Sequence, residues 1–573
     1  MRKGRLSGRT LALSGTVVSL ATLVAACYQS IWKADYSSTV NQARNYSVTS
    51  TVDSAGNLLV GGSSTVAITQ DNAGNPIVHF QPTLLKYGPS GALLWEFNFD
   101  NGRRRSTAQP VSNDFMGEYT GGGEISQIVL DTQGNIFAAG IVPGANYASD
   151  AADYDLAVFK LDAGGTLQWQ RVIERPSQDS PLALGIGNAG QLLLGVGHVT
   201  DLFSSSAEAL ALSAADGHIL WNHEEADARD RSFLFGFREN TLVQQATAAI
   251  APTRIAIGHD YNRVRVYDDA GNLLYRLPAN STTTNTGPEP DMGVACSGDG
   301  GGIDINLALA FVGEDLLAAQ SYSVAFCTAV LSSLSLIQYD NAGMQVWHKE
   351  LPEKLAGEGH EDYEAWQQGE RDFFVPFSAH MLYQDAKLKA DGQNIYLTVN
   401  SNVAHVSPRL CLDCTTNTVD AQIYALNSDG NLRWHQHFYS TPIIQYDSVN
   451  DEIENVVATW TSARDITITA QGNPVIALNE LEAHGVTYYY GNLAAATLHG
   501  ASSRLVEFDA MTGKKDSFGT EKDQLVRSVA AANGKGVFKV GDNHPYMPAW
   551  WMLNPSGVTS TPSTIHISHY RPR

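Results

Sequence analysis

The sequence has little helical character and few motifs that carry chemistry. Apolar residues rarely recur at the spacing of an amphipathic helix. The glycines of 297–304 lack the Lys-Ser/Thr of a phosphate-binding loop, and HEDYE (360–364) and HEEAD (223–227) lack the second His of a zinc protease. A GxSxG nucleophile elbow is also missing. We therefore predict no catalytic residue and favour a protein that is not an enzyme.

Basic residues are scarce. Lys and Arg number 37 against 59 Asp and Glu, which gives a formal net charge of −22. A nucleic-acid-binding protein needs a basic surface to displace the counterions of the phosphate backbone. Attraction to anionic lipid headgroups needs the same kind of surface. The charge therefore argues against nucleic acid as a partner, and against a membrane contact that depends on charge.

Long apolar runs are absent after the first 26 residues. Residues 1–26 combine a basic start with an apolar stretch too short for a comfortable bilayer span, and they end in small residues before Cys27. This segment resembles a bacterial lipoprotein signal peptide, which implies that Cys27 is lipidated and becomes the mature N-terminus. A plain secretory signal is the alternative. Tyr28 follows where an Asp would favour inner-membrane retention. The resemblance thus favours the outer membrane of a bacterial envelope, on its periplasmic side or its surface.

Cysteine is rare, with five residues in the whole chain. If Cys27 is lipidated, four remain in an oxidising compartment, and four cysteines allow three pairings. Because each pair is local in sequence, we favour the disulfides Cys296–Cys327 and Cys411–Cys414. A redox motif or half a zinc site at CLDC (411–414) is disfavoured, because a second close Cys or His pair and a βαβ pattern are missing. Thr415 also stands where a haem-attachment motif requires His.

The main feature of the sequence is a repeated motif, which we call the phrase. It reads as a strand, a tight turn ending in Gly, and a second strand with an aromatic residue four positions after that Gly. Pairs such as Asp-Gly and Gly-Asn supply the positive φ angles of tight hairpins. Six copies carry the aromatic, at Leu84–Trp95, Ala157–Trp169, Leu210–Trp221, Val264–Tyr275, Ser335–Trp347 and Gln422–Trp434. Two more keep the turn without the aromatic, at Leu505–Ser517 and Trp551–Thr561.

These repeats predict an all-β fold. The shortest interval, from Trp169 to Trp221, fits four antiparallel strands and their turns. One such unit cannot bury both faces alone, so the units must stack, and a radial arrangement gives a β-propeller. Eight phrases predict eight blades, with seven as the alternative count. A β-helix is disfavoured, because its coils are shorter than these units. Residues 27–573 are predicted to form one propeller domain with long inserted loops at about 282–304, 351–380 and 407–418.

The ring must also close. The last phrase lacks an aromatic at Thr561, whereas Ile31–Tyr36 resembles an outermost strand without a preceding turn. We therefore predict that Ile31–Tyr36 is the outermost strand of the last blade. The competing assignment gives that place to Thr564–Tyr570.

The phrase resembles the repeats of quinoprotein-like propellers, most closely in LSAADGHILW (212–221) and FDAMTG (508–513). Similar repeats occur in pyrroloquinoline-quinone dehydrogenases, in the eight-bladed outer-membrane assembly lipoprotein type and in uncharacterised β-propeller repeat proteins. The adjacent cysteines that methanol-type enzymes place beside the quinone are missing, so we do not expect this cofactor. The resemblance implies that the aromatic residues dock between neighbouring blades, namely Trp32, Trp95, Trp169, Trp221, Tyr275, Trp347 and Trp434.

Loops on a rigid body usually carry the function of such proteins. Tyr488, Tyr489 and Tyr490 are candidate binding residues for a sugar or a peptide, and alternation along a strand would expose two of them. Asp299 and Asp304 are candidate calcium ligands, with a solvated loop as the favoured interpretation. We predict a lipid-anchored, non-catalytic scaffold or binding platform for a protein or envelope polymer. The alternatives are a quinoprotein-type dehydrogenase and a polysaccharide-binding or polysaccharide-cleaving enzyme.

Overall fold

Strands are the only regular secondary structure in the described part of the chain. The computed structural model describes residues 28–572 apart from short intervals and six longer ones, 105–122, 228–245, 278–301, 352–376, 407–414 and 544–562. These described residues contain no helix, and so no helix that could cross a membrane. The signal segment 1–26 and Cys27 lie outside the described residues.

The strands are short and are separated by turns. In chain order they are β1 (Tyr28–Tyr36), β2 (Tyr46–Val52), β3 (Leu58–Gln70), β4 (Pro76–Tyr87), β5 (Leu93–Asn98), β6 (Glu124–Leu130), β7 (Ile136–Pro143), β8 (Tyr154–Leu161), β9 (Leu167–Ile173), β10 (Gln178–Ile186), β11 (Leu192–Val199), β12 (Ser205–Leu212), β13 (Ile219–Asp227), β14 (Thr247–Ala251), β15 (Arg254–His259), β16 (Arg263–Asp268), β17 (Leu273–Leu277), β18 (Gly302–Val312), β19 (Asp315–Phe326), β20 (Ala329–Tyr339), β21 (Gln345–Leu351), β22 (Phe377–Ala390), β23 (Asn394–Val406), β24 (Thr415–Asn427), β25 (Leu432–Phe438), β26 (Ile443–Asp447), β27 (Glu452–Ile468), β28 (Pro474–His484), β29 (Tyr488–Tyr489), β30 (Asn492–Leu493), β31 (Thr497–Phe508), β32 (Lys515–Lys522), β33 (Leu525–Ala532), β34 (Gly536–Asp542) and β35 (Ile565–Pro572).

Within the described residues, all strands but three belong to eight antiparallel sheets of four. Of the remaining three, β26 pairs with β27, and β29 pairs with β30. Seven of the sheets are simple meanders, which we number in chain order as sheets 1 to 7: β2–β5, β6–β9, β10–β13, β14–β17, β18–β21, β22–β25, and β27, β28, β31 and β32. Single parallel bridges, Tyr154–Gln178 and Val419–Trp460, link sheet 2 to sheet 3 and sheet 6 to sheet 7. The first strand of each sheet packs against the first strand of the next, around a closed ring. The protein is therefore an all-β propeller, as the repeats predicted.

Sheet 8 closes the ring with both chain ends. It contains β33, β34 and β35, with β1 as its outermost strand. Trp32 lies opposite His569 and Tyr36 opposite Ile565. The prediction for Ile31–Tyr36 is confirmed, and the competing segment Thr564–Tyr570 forms the adjacent third strand instead. The last phrase, 551–561, falls outside the described residues and precedes β35. It is therefore not the hairpin between the third and fourth strands of this sheet.

The two faces of the ring differ. We call the turn face the one that carries the connections from first to second and from third to fourth strands, all of six residues or fewer. The loop face carries the other connections, including all six of the longer undescribed intervals. On the turn face, Asp53 shows how an acidic residue organises its turn: Oδ1 accepts hydrogen bonds from the backbone N–H groups of Ala55 and Asn57 at 2.9 and 2.8 Å. Such Asx turns keep this face short and regular.

The repeated aromatic side chains link each sheet to the next one. Trp221 shows the arrangement: its Nε1 donates to Asp269 O at 3.1 Å, and its ring covers Gly271, where an added Cβ would lie 2.8 Å from the indole. Gly271 has φ +89°, so glycine is required there both by conformation and by contact. The same packing joins Trp32 to Gly91, Trp95 to Gly165, Trp169 to Gly217, Tyr275 to Gly343, Trp347 to Gly430 and Trp434 to Gly513.

We expect Trp434→Ala to be the most costly truncation among these aromatics. Trp434 is 8% exposed and packs against Phe508, whereas the other six are half-buried. Loss of a large buried aromatic costs about 3–5 kcal/mol of unfolding free energy. Chemical denaturation should show this loss for Trp434→Ala and a smaller one for Trp221→Ala. Equal losses would mean that the carbonyl hydrogen bond, which both tryptophans donate, dominates the docking.

Candidate functional site

A network of charged side chains lies near the loop face between sheets 2 and 3. His198, near the end of β11, is its centre. Its Nδ1 lies 2.7 Å from Asp179 Oδ1, and its Nε2 lies 2.9 Å from Arg175 Nη1 and 3.4 Å from Glu208 Oε2. Arg175 Nη2 also donates to Glu208 Oε1 at 2.8 Å. The side chains of His198, Asp179 and Glu208 are almost completely buried.

The network extends across the two sheets. Asp155 Oδ1 accepts from the backbone N–H of Arg175 at 3.1 Å, and its Oδ2 accepts from Arg103 Nη1 at 3.0 Å. Asp179 Oδ2 accepts from the backbone N–H of Leu156 in β8 at 3.0 Å. These bonds attach the start of β10 to sheet 2, beside the single bridge between the two sheets.

The hydrogen bonds of this network shift the pKa values of its members. Burial lowers the pKa of His198, but the bonds to Asp179 and Glu208 outweigh that effect and leave the pKa raised. Burial raises the pKa of Glu208, but the bond to His198 and the charge of Arg175 lower it by more, so the net shift is downward. Both nitrogens of His198 are engaged, and no described hydroxyl or thiol bonds to them. A general base that activates a nucleophilic side chain needs such a contact.

A second group lies at the loop-face end of sheet 6. His437 Nε2 is 2.9 Å from Asp420 Oδ2, and Asp420 Oδ1 accepts from the backbone N–H of Ser440 at 2.8 Å. The Tyr439 ring lies over the His437 ring with 3.6 Å between centroids. Asp420 and Ser440 are buried, whereas Tyr439 is 64% exposed. The buried pair of His437 and Asp420 thus supports the Tyr439 ring, which is exposed to solvent.

Tyr439 is unusual in its position. The described residues contain eleven large hydrophobic side chains that are exposed, and the other ten lie on or beside the turn face. An exposed aromatic on a firm support combines large contact area with little conformational entropy to lose, which is typical of residues that dominate protein interfaces. We therefore take the loop face around Tyr439 as the candidate functional site.

Tyr439 is not among the site residues predicted from the sequence. The signal was the alternation of His435, His437 and Tyr439, which puts all three on one face of β25 and its extension. His435 stacks on Tyr424 at a centroid distance of 4.3 Å, so the row continues into the sheet. The alternation could have indicated an aromatic row, but the support from Asp420 depends on the pairing of β24 with β25.

The seven predicted docking aromatics lie in described strands, whereas most of the other predicted site residues do not. Cys296, Cys327, Cys411, Cys414 and Tyr490 fall outside the described residues, as does Asp299. Tyr488 and Tyr489 form β29, paired with β30, and Asp304 lies in β18 opposite Tyr322. Strands also extend into the predicted loops, because β18 begins at Gly302, β22 at Phe377 and β24 at Thr415. Among the described residues, no group of three or more His, Cys, Asp and Glu could hold a metal ion.

Comparisons with known proteins give only distant structural likenesses. No protein-family model and no curated protein matches the chain. Among solved structures, quinohemoprotein alcohol dehydrogenase from Comamonas testosteroni is similar at a TM-score of 0.42 and 11% identity, over 95% of this chain and 76% of that one. The β-propeller domain of the Trilobed protease from Pyrococcus furiosus is similar at a TM-score of 0.34 and 8% identity, over 82% of this chain and 95% of that one. At these values neither likeness bears on function.

Proposed function

We propose that this protein is a non-catalytic binding platform, held in a bacterial envelope by a lipid on Cys27, which presents its loop face to a protein or envelope polymer. The observation that carries the proposal is the contrast between the two faces. The turn face is built from short connections, many of them Asx turns, whereas the loop face holds every long connection and the exposed, supported Tyr439. Variable loops on a rigid scaffold are the usual place for recognition.

The charge networks near the loop face fit a platform better than a reaction centre. His198 is locked between Asp179, Arg175 and Glu208, and this arrangement rigidifies the junction of sheets 2 and 3. A rigid body lowers the entropy that a binding surface loses when its partner docks. The way in which His198 is held therefore favours the platform over the two alternatives, a quinoprotein-type dehydrogenase and a polysaccharide-cleaving enzyme.

The loop face is tested by substitution of Tyr439. With lipidated protein in intact envelopes, Tyr439→Ala should weaken capture of the bound partner by about 2 kcal/mol, roughly thirty-fold in dissociation constant. Met511→Ala is the matched control, because Met511 is 70% exposed and lies on the turn face. Quantitative cross-linking and pull-down measure both variants against the parent. Equal capture by Tyr439→Ala and the parent, or a loss confined to Met511→Ala, would contradict the proposal.

The anchor is tested separately. Cys27→Ser should release the protein from membranes and leave its melting temperature unchanged, because residue 27 precedes the first strand of the propeller. Fractionation of envelopes measures the release, and mass spectrometry of the parent should find the lipid on the N-terminal cysteine. Membrane retention of Cys27→Ser would refute lipid anchoring at this position.

A further inference from the structure

The turn face carries a rim of exposed aliphatic side chains. They lie at the start of the outermost strand or in the turn before it, in six consecutive sheets from sheet 8 through sheet 5. The rim consists of Ile31, Leu93, Leu94, Leu167, Leu220, Leu273, Leu274, Met344 and Val346. Single exposed apolar residues are ordinary on protein surfaces, but recurrence at one position around a ring marks a contact surface.

The predicted lipid anchor belongs to the same face. β1 runs antiparallel to β35, and Tyr28 lies opposite Pro572 at the end of β35. Third strands run from the loop face to the turn face, so Tyr28 lies at the turn face. Cys27 is the preceding residue, and consecutive Cα atoms are about 3.8 Å apart. A lipid on Cys27 would therefore enter the bilayer directly beside this face.

No linker separates the anchor from the rigid body. The Tyr28 ring stacks on Phe518 of sheet 7 with 3.9 Å between centroids and an interplanar angle of 6°. Five residues later, Lys33 Nζ lies 2.6 Å from Glu521 Oε1, also in sheet 7. Because β1 is fixed from its first residue, the position of the anchor restricts the orientation of the whole propeller.

We propose that the turn face rests on the lipid bilayer through its aliphatic rim, so that the loop face points away from the membrane. This rests on the lipid anchor in the proposed function and adds the orientation and the lipid contact. The rim surrounds most of the ring, which favours contact by the whole face over contact by one edge. It also leaves the loop face, with Tyr439, open to a partner in the aqueous compartment.

The lipid contact should not depend on charge. Acidic residues such as Asp53, Asp131, Asp162, Asp268 and Asp340 occupy the turns of this face, where each accepts backbone hydrogen bonds from its own turn. Carboxylates do not attract anionic headgroups, so aliphatic side chains must supply the attraction. We therefore expect the orientation to be the same on zwitterionic lipid and at high salt.

The test uses the lipidated full-length protein in vesicles of phosphatidylcholine and phosphatidylethanolamine that carry a spin-labelled headgroup quencher. A thiol-reactive fluorophore is placed at Leu94→Cys or Leu274→Cys on the rim, with Ser180→Cys near the loop face as the control. Ser180 is exposed at the opposite end of its sheet. The unsubstituted protein gives the background from native cysteines. Quenching should be several-fold stronger at both rim positions than at Ser180, and salt should leave it unchanged.

The outcomes separate the orientation from the anchor. Protein that fails to float with the vesicles would refute the lipid anchor and the orientation with it. Protein that floats with equal quenching at the three positions, or stronger quenching at Ser180, would overturn the orientation alone. If a second copy of the chain covers the rim instead, quenching would be weak at Leu94 and Leu274 and light scattering of the detergent-solubilised protein would give a doubled mass. That result also overturns the proposal.

Discussion

Deletion of residues 31–36 should destabilise the protein more than any single substitution. The deletion removes the outermost strand of sheet 8 and exposes the edge of β35. It also removes Trp32, whose ring covers Gly91 in sheet 1 and whose Nε1 donates to Pro89 O at 2.9 Å. We expect a loss of unfolding free energy that exceeds the roughly 3–5 kcal/mol typical of one large aromatic. Thermal and chemical denaturation of the protein without its signal segment measure it.

A synthetic peptide supplies the control for this deletion. Added in trans, a peptide of residues 28–37 should bind the vacant edge of β35 and restore most of the lost melting temperature. The same peptide with Trp32→Ala should restore much less, because the contact with Gly91 is lost. A deletion variant that melts like the parent would show that β1 adds nothing to ring closure.

Glu521→Gln should be the most damaging single charge substitution. Glu521 accepts from Lys539 Nζ at 2.7 Å, from Lys33 Nζ at 2.6 Å and from the Ser568 hydroxyl at 2.9 Å, and so joins sheet 7 to three strands of sheet 8. The side chain of Lys539 is only 3% exposed. Removal of one partner from a buried ion pair leaves an uncompensated charge, which typically costs about 3–5 kcal/mol. Denaturant titration at neutral pH measures the loss.

A matched control lies in the same sheet. Glu480→Gln breaks a pair of 2.6 Å with Arg504, but both side chains are partly exposed. Pairs of this kind contribute at most about 1 kcal/mol, because water screens them. If the two substitutions cost the same, the Glu521 network does not stabilise ring closure more than a surface pair does.

The cost of Glu521→Gln should shrink in acid. Burial by itself raises the pKa of Glu521, but the bond to His566 and the charge of Lys539 outweigh it and hold the pKa well below its usual value. A carboxyl with a lowered folded-state pKa contributes stability above the unfolded value of 4.5, and that contribution is lost as pH falls through the folded pKa. Melting temperatures of parent and variant should therefore converge as pH falls below about 4. A constant difference would contradict this assignment.

Two of the basic residues beside Glu521, Lys539 and His566, affect the free energy of unfolding in other pH ranges. Burial lowers the pKa of Lys539 to about 8, despite the charge of Glu521. Folding thus disfavours the protonated form of Lys539. The contribution of this residue to the free energy of unfolding therefore increases as pH rises from about 8 toward 10.5. The pKa of His566 is raised, because the bonds to Glu521 and Asp35 outweigh its burial. The stabilisation that protonated His566 provides is complete below its unfolded pKa of 6.5 and is lost as pH rises through the folded pKa.

Local chemistry allowed much of the fold to be predicted. A turn glycine followed four residues later by an aromatic encodes a hairpin and its docking contact together, as Gly217 and Trp221 do. Strand identity and the propeller class followed from this repetition, because β-turn geometry depends on a few adjacent residues. The role of Ile31–Tyr36 was also predictable, since its pattern lacked the turn that the other outermost strands have.

Contacts between distant segments could be decided only by the tertiary structure. Lys33 and Glu521 are separated by 488 residues, and nothing near either one indicates the other. The same holds for the charges around His198, which come from four strands or their ends, and for the support that Asp420 gives Tyr439. The turn face depends on both the local sequence and the tertiary structure. Sequence places an aliphatic residue just before most docking aromatics, but ring closure alone brings these side chains and the start of β1 onto one surface, because only closure fixes how the sheets are arranged around the axis.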